Sequence, residues 1–280
     1  MTRLGVLGWP VAHSRSPAMH NAALAELGMG TWRYQLLPVP PQRFEETTRA
    51  LGGAGFVGAN VTIPHKHAAL ALADEASPAA REIGAANTLT FRPDGSIAAE
   101  NTDAPGLIAA LPLAPRGLSA LVLGAGGSGR AAVWALLAAG AAEVSIWNRT
   151  PARAQALARD LGARAVARPR AADLLVNCTS VGLNAPLEPS GVERSASEAG
   201  ALNQLGLTGD QVAEYPNVID LVYHARSTPL LVAASAHGAR TVDGLDVLVA
   251  QGALSFELWT GREAPRAVMA SAARDQREPD

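Results

Sequence analysis

The chain has 280 residues, 48% of them hydrophobic and 17% charged, with a net charge of −2; it is long enough for one large domain or two moderate ones and lacks the basic balance that a nucleic-acid partner requires. Its one cysteine, Cys178, excludes an internal disulfide and fits a reducing, cytoplasmic compartment. No stretch has the length and continuous apolarity of a membrane span; the nearest candidate, an Ala-rich helix beginning near Gly127, closes at Gly140.

In chain order, residues 4–8 form a short apolar strand, too short for a signal peptide and ended by Gly8-Trp9-Pro10. Ser16-Pro17 starts a helix, with Ser at the cap and Pro at the first position, running to Gly28 or Gly30. A strand near 33–37 follows, then a helix to about Leu51 and a strand from Phe56 to Val61. Helices are expected near 65–73 and 78–84, and a hairpin pairs Asn87–Phe91 with Ser96–Ala99 around Pro93-Asp94-Gly95. Residues 104–111 read as helix and Pro112 to Gly117 as a linker.

The second part alternates strand and helix. Strands fall at 119–123, 143–147, 163–166, 173–177 and 218–221, with helices after Gly127 and at 151–160, 228–237 and 244–260. Residues 182–200 read as loop, and those beyond about Arg274 as frayed. This rhythm implies a parallel sheet with helices on both faces.

Gly124-Ala125-Gly126-Gly127-Ser128-Gly129 fits G-x-G-x-x-G, placed after a strand and opening a helix. In that context the first glycine makes the tight turn, the second lets backbone approach a pyrophosphate, and the third allows close helix–strand packing. The helix N-terminus adds N–H donors for phosphate. A dinucleotide site for NAD usually carries Asp or Glu about 20 residues on. Here the next strand ends in Asn148-Arg149-Thr150, with Arg153 one turn later. A carboxylate would repel a 2′-phosphate and Arg can grip it bidentately, so NADP is expected over NAD.

Lys66 is the only lysine among 23 Lys and Arg. Guanidinium stays charged in proteins, so Arg cannot replace Lys where a proton must be given up. Either Lys66 does proton chemistry or it is a buried ammonium with a packing role. The segment around it, Asn60-Val61-Thr62-Ile63-Pro64-His65-Lys66, favours the first reading. The six histidines are scattered, and His65 and His67 do not share a helix face; no metal-ligand pattern emerges. Cys178 follows an apolar strand and reads as packing.

Several segments converge on one family. Gly8 to Pro17, Asn60 to Lys66, Gly84-Ala85-Ala86-Asn87-Thr88-Leu89, Asn101-Thr102-Asp103, Asn177-Cys178-Thr179-Ser180-Val181-Gly182, Asp220-Leu221-Val222-Tyr223 and Gln251-Gly252, in this order, resemble the shikimate dehydrogenase family over nearly the whole chain. The resemblance implies NADPH-dependent reduction of 3-dehydroshikimate, by a monomer or homodimer. It assigns Lys66 and Asp103 as the catalytic pair. Ser14 and Ser16 are placed on the substrate carboxylate, and Asn60, Thr62, Asn87, Tyr223 and Gln251 on the remaining polar groups. Toward the cofactor it places Gly124, Ala125, Gly126, Gly127, Ser128, Asn148, Arg149, Thr150, Arg153, Thr179, Leu221, Gly244 and Val247.

The alternatives to this function are a quinate/shikimate dehydrogenase of broader specificity and a non-catalytic NADP-responsive regulator, and alternatives also remain at single positions. Asp103 can instead cap a helix, since Ala104-Pro105 follows, although Thr102 can cap in its place. Capping is also open to Ser16 and Ser14. The chain departs from the family pattern at Asp246, Val247 and Ala225, where Gly, Met and Pro are usual. The expected architecture is two α/β domains. Residues 1–103 bind substrate, residues 104–240 bind NADP in a Rossmann-like doubly wound fold, and the helices of 241–280 return to the first domain. The active site is expected in the cleft between them.

Overall fold

A computed structural model describes residues 1–182, 199–223 and 227–275. The chain divides into two compact units, Met1–Gly106 with Leu248–Asp280, and Leu107–Val247. The expected divisions after 103 and 240 therefore shift to 106 and 247. Both crossings lie inside helices, α5 (Asp103–Ala110) and α11 (Gly244–Thr260), where no turn residue marks a boundary in the sequence.

The first unit opens with β1 (Thr2–Gly8), α1 (Ser16–Glu26), β2 (Trp32–Pro38), α2 (Phe44–Leu51), β3 (Phe56–Val61) and α3 (Lys66–Leu72). It continues with β4 (Glu75–Ala76), α4 (Pro78–Ile83), β5 (Thr88–Phe91) and β6 (Ile97–Glu100). The strands form one sheet in the order β2-β1-β3-β5-β6-β4. It is parallel across β2-β1-β3 and antiparallel through the β5-β6 hairpin. Because the sheet is covered on both faces, β1 reads as a continuous apolar run without alternation. On one face Leu4, Val6, Val11 and Tyr34 cluster with Trp259. On the other, Leu7, Phe44, Phe56, Val61 and Leu89 form the larger core. The closing helix α12 (Arg266–Arg274) packs against α1.

The helix starts carry two differences from the expected caps. Ser16 is the first helical residue of α1 and its side chain makes no capping bond; Ser14 Oγ instead accepts the Ser16 N–H at 3.3 Å. At α5, Asn101 Oδ1 accepts the Ala104 N–H at 3.1 Å. Neither Asp103 nor Thr102 is needed for that bond, which leaves the Asp103 carboxylate available elsewhere.

The second unit contains β7 (Ser119–Leu123), α6 (Gly127–Ala138), β8 (Glu143–Trp147), α7 (Pro151–Leu161), β9 (Arg164–Ala165) and β10 (Leu174–Asn177). Then come α8 (199–204), α9 (Gly209–Val212), β11 (Asn217–Asp220), α10 (Pro229–Ala236) and β12 (Arg240–Val242). Most of the segment expected as loop, 183–198, lies outside the described residues, and 199–204 is helical. All strand pairs are parallel, in the order β9-β8-β7-β10-β11-β12. That is the doubly wound dinucleotide-binding order, whose direction reverses between β7 and β10. Along β7, Ala120 and Val122 enter one core and Leu121 and Leu123 the other, as a sheet with helices on both faces requires.

One buried residue in the first unit is left in an unusual state. The His20 ring is fully buried, stacks parallel on Tyr34 at 4.2 Å, and has no hydrogen-bond partner at either nitrogen among the described residues. Burial lowers its pKa from 6.5 to about 3. The unfolded chain therefore binds the His20 proton more readily, and folding stability attributable to this residue is complete above pH 6.5 and is lost as the pH falls toward 3. His20→Phe keeps the ring stack and removes both nitrogens. We expect it to raise the melting temperature at about pH 5 more than at about pH 8, measured by thermal denaturation across pH; equal shifts at the two pH values would contradict this.

Candidate active site

Lys66 is the first residue of α3 and Asp103 the first of α5. Lys66 Nζ donates to Asp103 Oδ2 at 2.5 Å, with side-chain exposures of only 10% and 17%. The pair is thus largely out of bulk water, where charge attraction is less screened. Two groups hold the lysine segment from behind. The His65 ring nitrogen Nε2 lies 2.7 Å from the Val39 carbonyl oxygen and the ring stacks on Phe44 at 4.3 Å. Burial lowers the His65 pKa, and its bond to Val39 partly opposes this.

Asn87 holds the carboxylate. Its Nδ2 lies within hydrogen-bond distance of Asp103 Oδ1 (2.8 Å), Thr102 Oγ1 (2.9 Å) and Gln251 Oε1 (3.0 Å). Its Oδ1 accepts the Thr102 backbone N–H at 2.7 Å. Gln251 reaches this point because α11 lies directly against Gly106, where a Cβ would sit 2.6 Å from the Gln251 Cβ. Gln251 Nε2 is tied to the Leu248 carbonyl at 2.8 Å.

Behind Asn87 lies Asn60, near the end of β3 and buried. Its Oδ1 accepts from the Tyr34 hydroxyl at 2.8 Å and from Ser255 Oγ at 3.4 Å. Its Nδ2 donates toward the Asn87 carbonyl and Thr88 Oγ1 at 3.3 and 3.2 Å. Those four contacts use the full capacity of an amide side chain. Thr62 follows at the strand exit, with its N–H on the Leu7 carbonyl at 2.8 Å. Ser14 is partly exposed and Ser16 buried at the start of α1. Lys66, Asp103, Asn87 and Gln251 thus form one polar cluster, with Asn60 behind it. Tyr223 and all the residues expected at the cofactor belong to the second unit.

In that unit Gly124 turns the chain with φ +104 after β7, and Ala125 N–H donates to Asn148 Oδ1 at 3.2 Å. A Cβ on Gly129 would lie 2.2 Å from the Gly124 carbonyl oxygen, while one on Gly126 would meet nothing within 4 Å. The third glycine is therefore required by packing. The second borders open space where a pyrophosphate could approach the backbone. The cap residue of α6, Gly126, has no side chain to occupy the helix start, and Gly127 and Ser128 follow it, which suits a phosphate. Beyond β8, Asn148 Nδ2 donates to the Thr150 carbonyl at 2.9 Å, and Arg149, Thr150 and Arg153 are exposed. The residues present fit a dinucleotide bearing a 2′-phosphate.

Comparison with known proteins identifies the family. Residues 6–89 match the shikimate dehydrogenase substrate binding domain, 113–180 the shikimate/quinate 5-dehydrogenase family, and 244–274 the shikimate 5′-dehydrogenase C-terminal domain. The NADP(+) shikimate dehydrogenase of one strain of Thermus thermophilus is 45% identical, over 98% of each chain. The chain belongs to the shikimate dehydrogenase family.

Within that family, the shikimate dehydrogenase of a second T. thermophilus strain, solved with NADP(H) and shikimate, superposes with a TM-score of 0.82 at 42% identity, covering 98% of this chain and 99% of that one. A ligand-free 5-ketofructose reductase of Gluconobacter sp. superposes at 0.77 with 31% identity over 97% of both. Of the departures from the shikimate dehydrogenase pattern, Val247 is buried in the core of the second unit, Asp246 is exposed, and Ala225 lies outside the described residues. Cys178 is partly buried and packs against the same core as Val247. Among the described residues no group of three or more His, Cys, Asp or Glu is placed to hold a metal ion, and no helix is long and apolar enough to cross a membrane.

The sequence does not single out Tyr34 or His20, because an isolated Tyr or His carries no local signal of a long-range contact; Thr88 lies in a quoted motif, but its bond to Asn60 is not legible there. Thr102 sits between two motif residues and is open to a reading as a cap; the fold turns it toward Asn87. The glycines give a paired test. Gly126→Ala should fold normally and lose NADP(H) affinity, whereas Gly129→Ala should lower the melting temperature. Fluorescence titration with NADPH and thermal denaturation separate the two, and unchanged NADPH affinity in Gly126→Ala would contradict the pyrophosphate placement.

Proposed function

We propose that this chain catalyses the reversible reduction of 3-dehydroshikimate to shikimate, with NADPH as the reductant, in the pathway to aromatic amino acids. The observation that carries the chemistry is the buried Lys66–Asp103 pair, held by Asn87, in a chain belonging to this family. When bound, NADPH supplies the hydride. The protein's own residues handle charge and proton. As negative charge builds on the ketone oxygen, the Lys66 ammonium stabilises it and transfers a proton to it. Asp103 fixes the ammonium by charge and geometry, and Asn87 fixes Asp103. Lys66 then recovers a proton from solvent. In the reverse direction, neutral Lys66 accepts the hydroxyl proton.

We assign the substrate carboxylate to Ser14 and Ser16, beside the start of α1, where N–H donors favour an anion. The hydroxyl groups fall to Thr62, Asn87, Gln251 and Tyr223. Asn60, whose amide is engaged on every side, supports Asn87 and Thr88 from behind. On the cofactor, we assign the pyrophosphate to residues 124–128, the 2′-phosphate to Arg149 and Arg153 with Asn148 and Thr150, and the nicotinamide half to Thr179, Leu221, Gly244 and Val247. The enzyme is placed in the cytoplasm, as a monomer or homodimer.

Lys66→Ala should lower kcat about 10²–10⁴-fold while NADPH binding persists. Lys66→Arg should be similarly slow, since it keeps the charge without a transferable proton. Full turnover in either variant, measured by NADPH absorbance, would remove Lys66 from the proton step. Arg149→Ala should raise the NADPH KM by about 10–100-fold, the loss of a charge-assisted bond, and leave NADH turnover nearly unchanged. Assays with shikimate, quinate and 5-ketofructose, each with both nucleotides, test the substrate. Turnover dominated by shikimate with NADP is expected; preference for quinate or for the keto-sugar would overturn the assignment.

A further inference from the structure

Asp220 is a buried carboxylate at the end of β11, with 1% of its surface exposed, and the proton step has no use for it. It stands opposite Asn177, the last residue of β10 and also fully buried. Its contacts reach three separate segments. Oδ1 accepts from Asn177 Nδ2 at 2.8 Å and from the Val222 backbone N–H at 3.1 Å. Oδ2 accepts from Thr228 Oγ1 at 2.7 Å, and that same oxygen of Thr228 accepts the Leu231 N–H at 3.3 Å to cap α10. Asn177 passes the constraint onward. Its Oδ1 accepts from the Thr179 N–H at 3.0 Å and from Thr179 Oγ1 at 2.8 Å. Its backbone carbonyl accepts the Leu221 N–H at 3.0 Å.

The place in the sheet gives these bonds their meaning. In the doubly wound fold, ligands bind beyond the carboxyl ends of the strands, and the two halves of the sheet take the two halves of the dinucleotide. The glycine turn and Arg149 occupy the β7-β8 half, so the β10-β11 exits belong to the nicotinamide half. Asp220 fixes both exits at once, one through Asn177 and Thr179, the other through Val222 between Leu221 and Tyr223. The second exit is packed from the far side as well. A Cβ on Gly244 would lie 2.5 Å from the Leu221 carbonyl oxygen and 2.9 Å from that of Val222, so α11 begins directly on that backbone.

We propose that Asp220 is a positioning residue for the nicotinamide half of the cofactor, acting through Asn177, Thr179 and the Leu221–Val222 backbone. The proposal rests on the cofactor assignment above. Among the described residues, what Asp220 supplies is accepted hydrogen bonds at two oxygens. Asparagine keeps an oxygen for Asn177 and Val222, and turns its amide N–H toward Thr228 Oγ1, which can accept it. Alanine leaves the Asn177, Val222 and Thr228 donors without this partner.

The test compares the full-length wild type with Asp220→Ala and Asp220→Asn. Shikimate oxidation by NADP+ is followed for kcat and for the KM of each substrate, NADP+ affinity by titration, and folding by thermal denaturation. Asp220→Ala should raise the NADP+ KM and lower kcat, each about tenfold, leaving shikimate affinity, measured by calorimetry without cofactor, unchanged. Asp220→Asn should restore both parameters to within about twofold. A variant with a lower melting temperature but wild-type KM and kcat would make Asp220 merely structural and overturn the proposal. So would an asparagine variant as impaired as the alanine one. If Asp220→Ala does not fold, Asn177→Ser replaces it, with the NADP+ KM again expected to rise and the shikimate affinity to hold; an unchanged KM overturns the proposal there too. Absence of turnover in the wild type would instead count against the assigned reaction.

Discussion

An ammonium removed from water is tolerated only where an opposite charge and hydrogen bonds compensate it; breaking a buried ion pair by removing one partner costs on the order of 3–5 kcal/mol. Lys66 meets that condition through Asp103 at 2.5 Å, and much of the first unit can be read as what holds this pair in place. Asp103 reaches Lys66 because Asn101 takes over the capping of α5. Asn87 grips the other carboxylate oxygen, and its own amide is locked by Thr102 and Gln251. The consequence for reactivity is preorganisation: a proton donor already fixed where charge develops needs little rearrangement in the transition state.

The support runs deeper than the polar cluster. Asn60 connects the hairpin strand β5 to Tyr34 on β2, and Tyr34 stacks on the neutral His20. Buried polar networks are stabilising only when their members are satisfied. Asn60 and Asn87 meet that standard, and His20 does not. The acid sensitivity of this ring stack therefore lies in the same unit as the Lys66–Asp103 pair, at the far end of a chain of contacts from it.

Much of this was legible in the sequence, for identifiable reasons. The apolar stretch in 119–123 marks a buried parallel strand because both faces are covered, and its expected limits match β7; the expected limits of 143–147 likewise match β8. The glycine motif is legible because backbone packing forbids any side chain at Gly129. Other elements carry weak signals. The strand β12 is three residues long and largely exposed, and α12 buries few of its residues, Met269 and Ala273 among them. The exchange of capping roles between Ser16 and Ser14, and between Asp103 and Asn101, depends on backbone angles that composition does not encode. The partners of Asp220 lie on strands distant in the chain, so a motif shows that residue without showing what it holds.

The direct test of the central claim is a double-mutant cycle on Lys66→Met and Asp103→Asn, with kcat/KM for shikimate and NADP+ measured for all four proteins. If the two side chains act as one unit, each single change removes most of the rate and the double variant is scarcely slower than the worse single one. Losses that simply multiply would show that Lys66 and Asp103 act independently, and would contradict a proton donor held in place by its carboxylate.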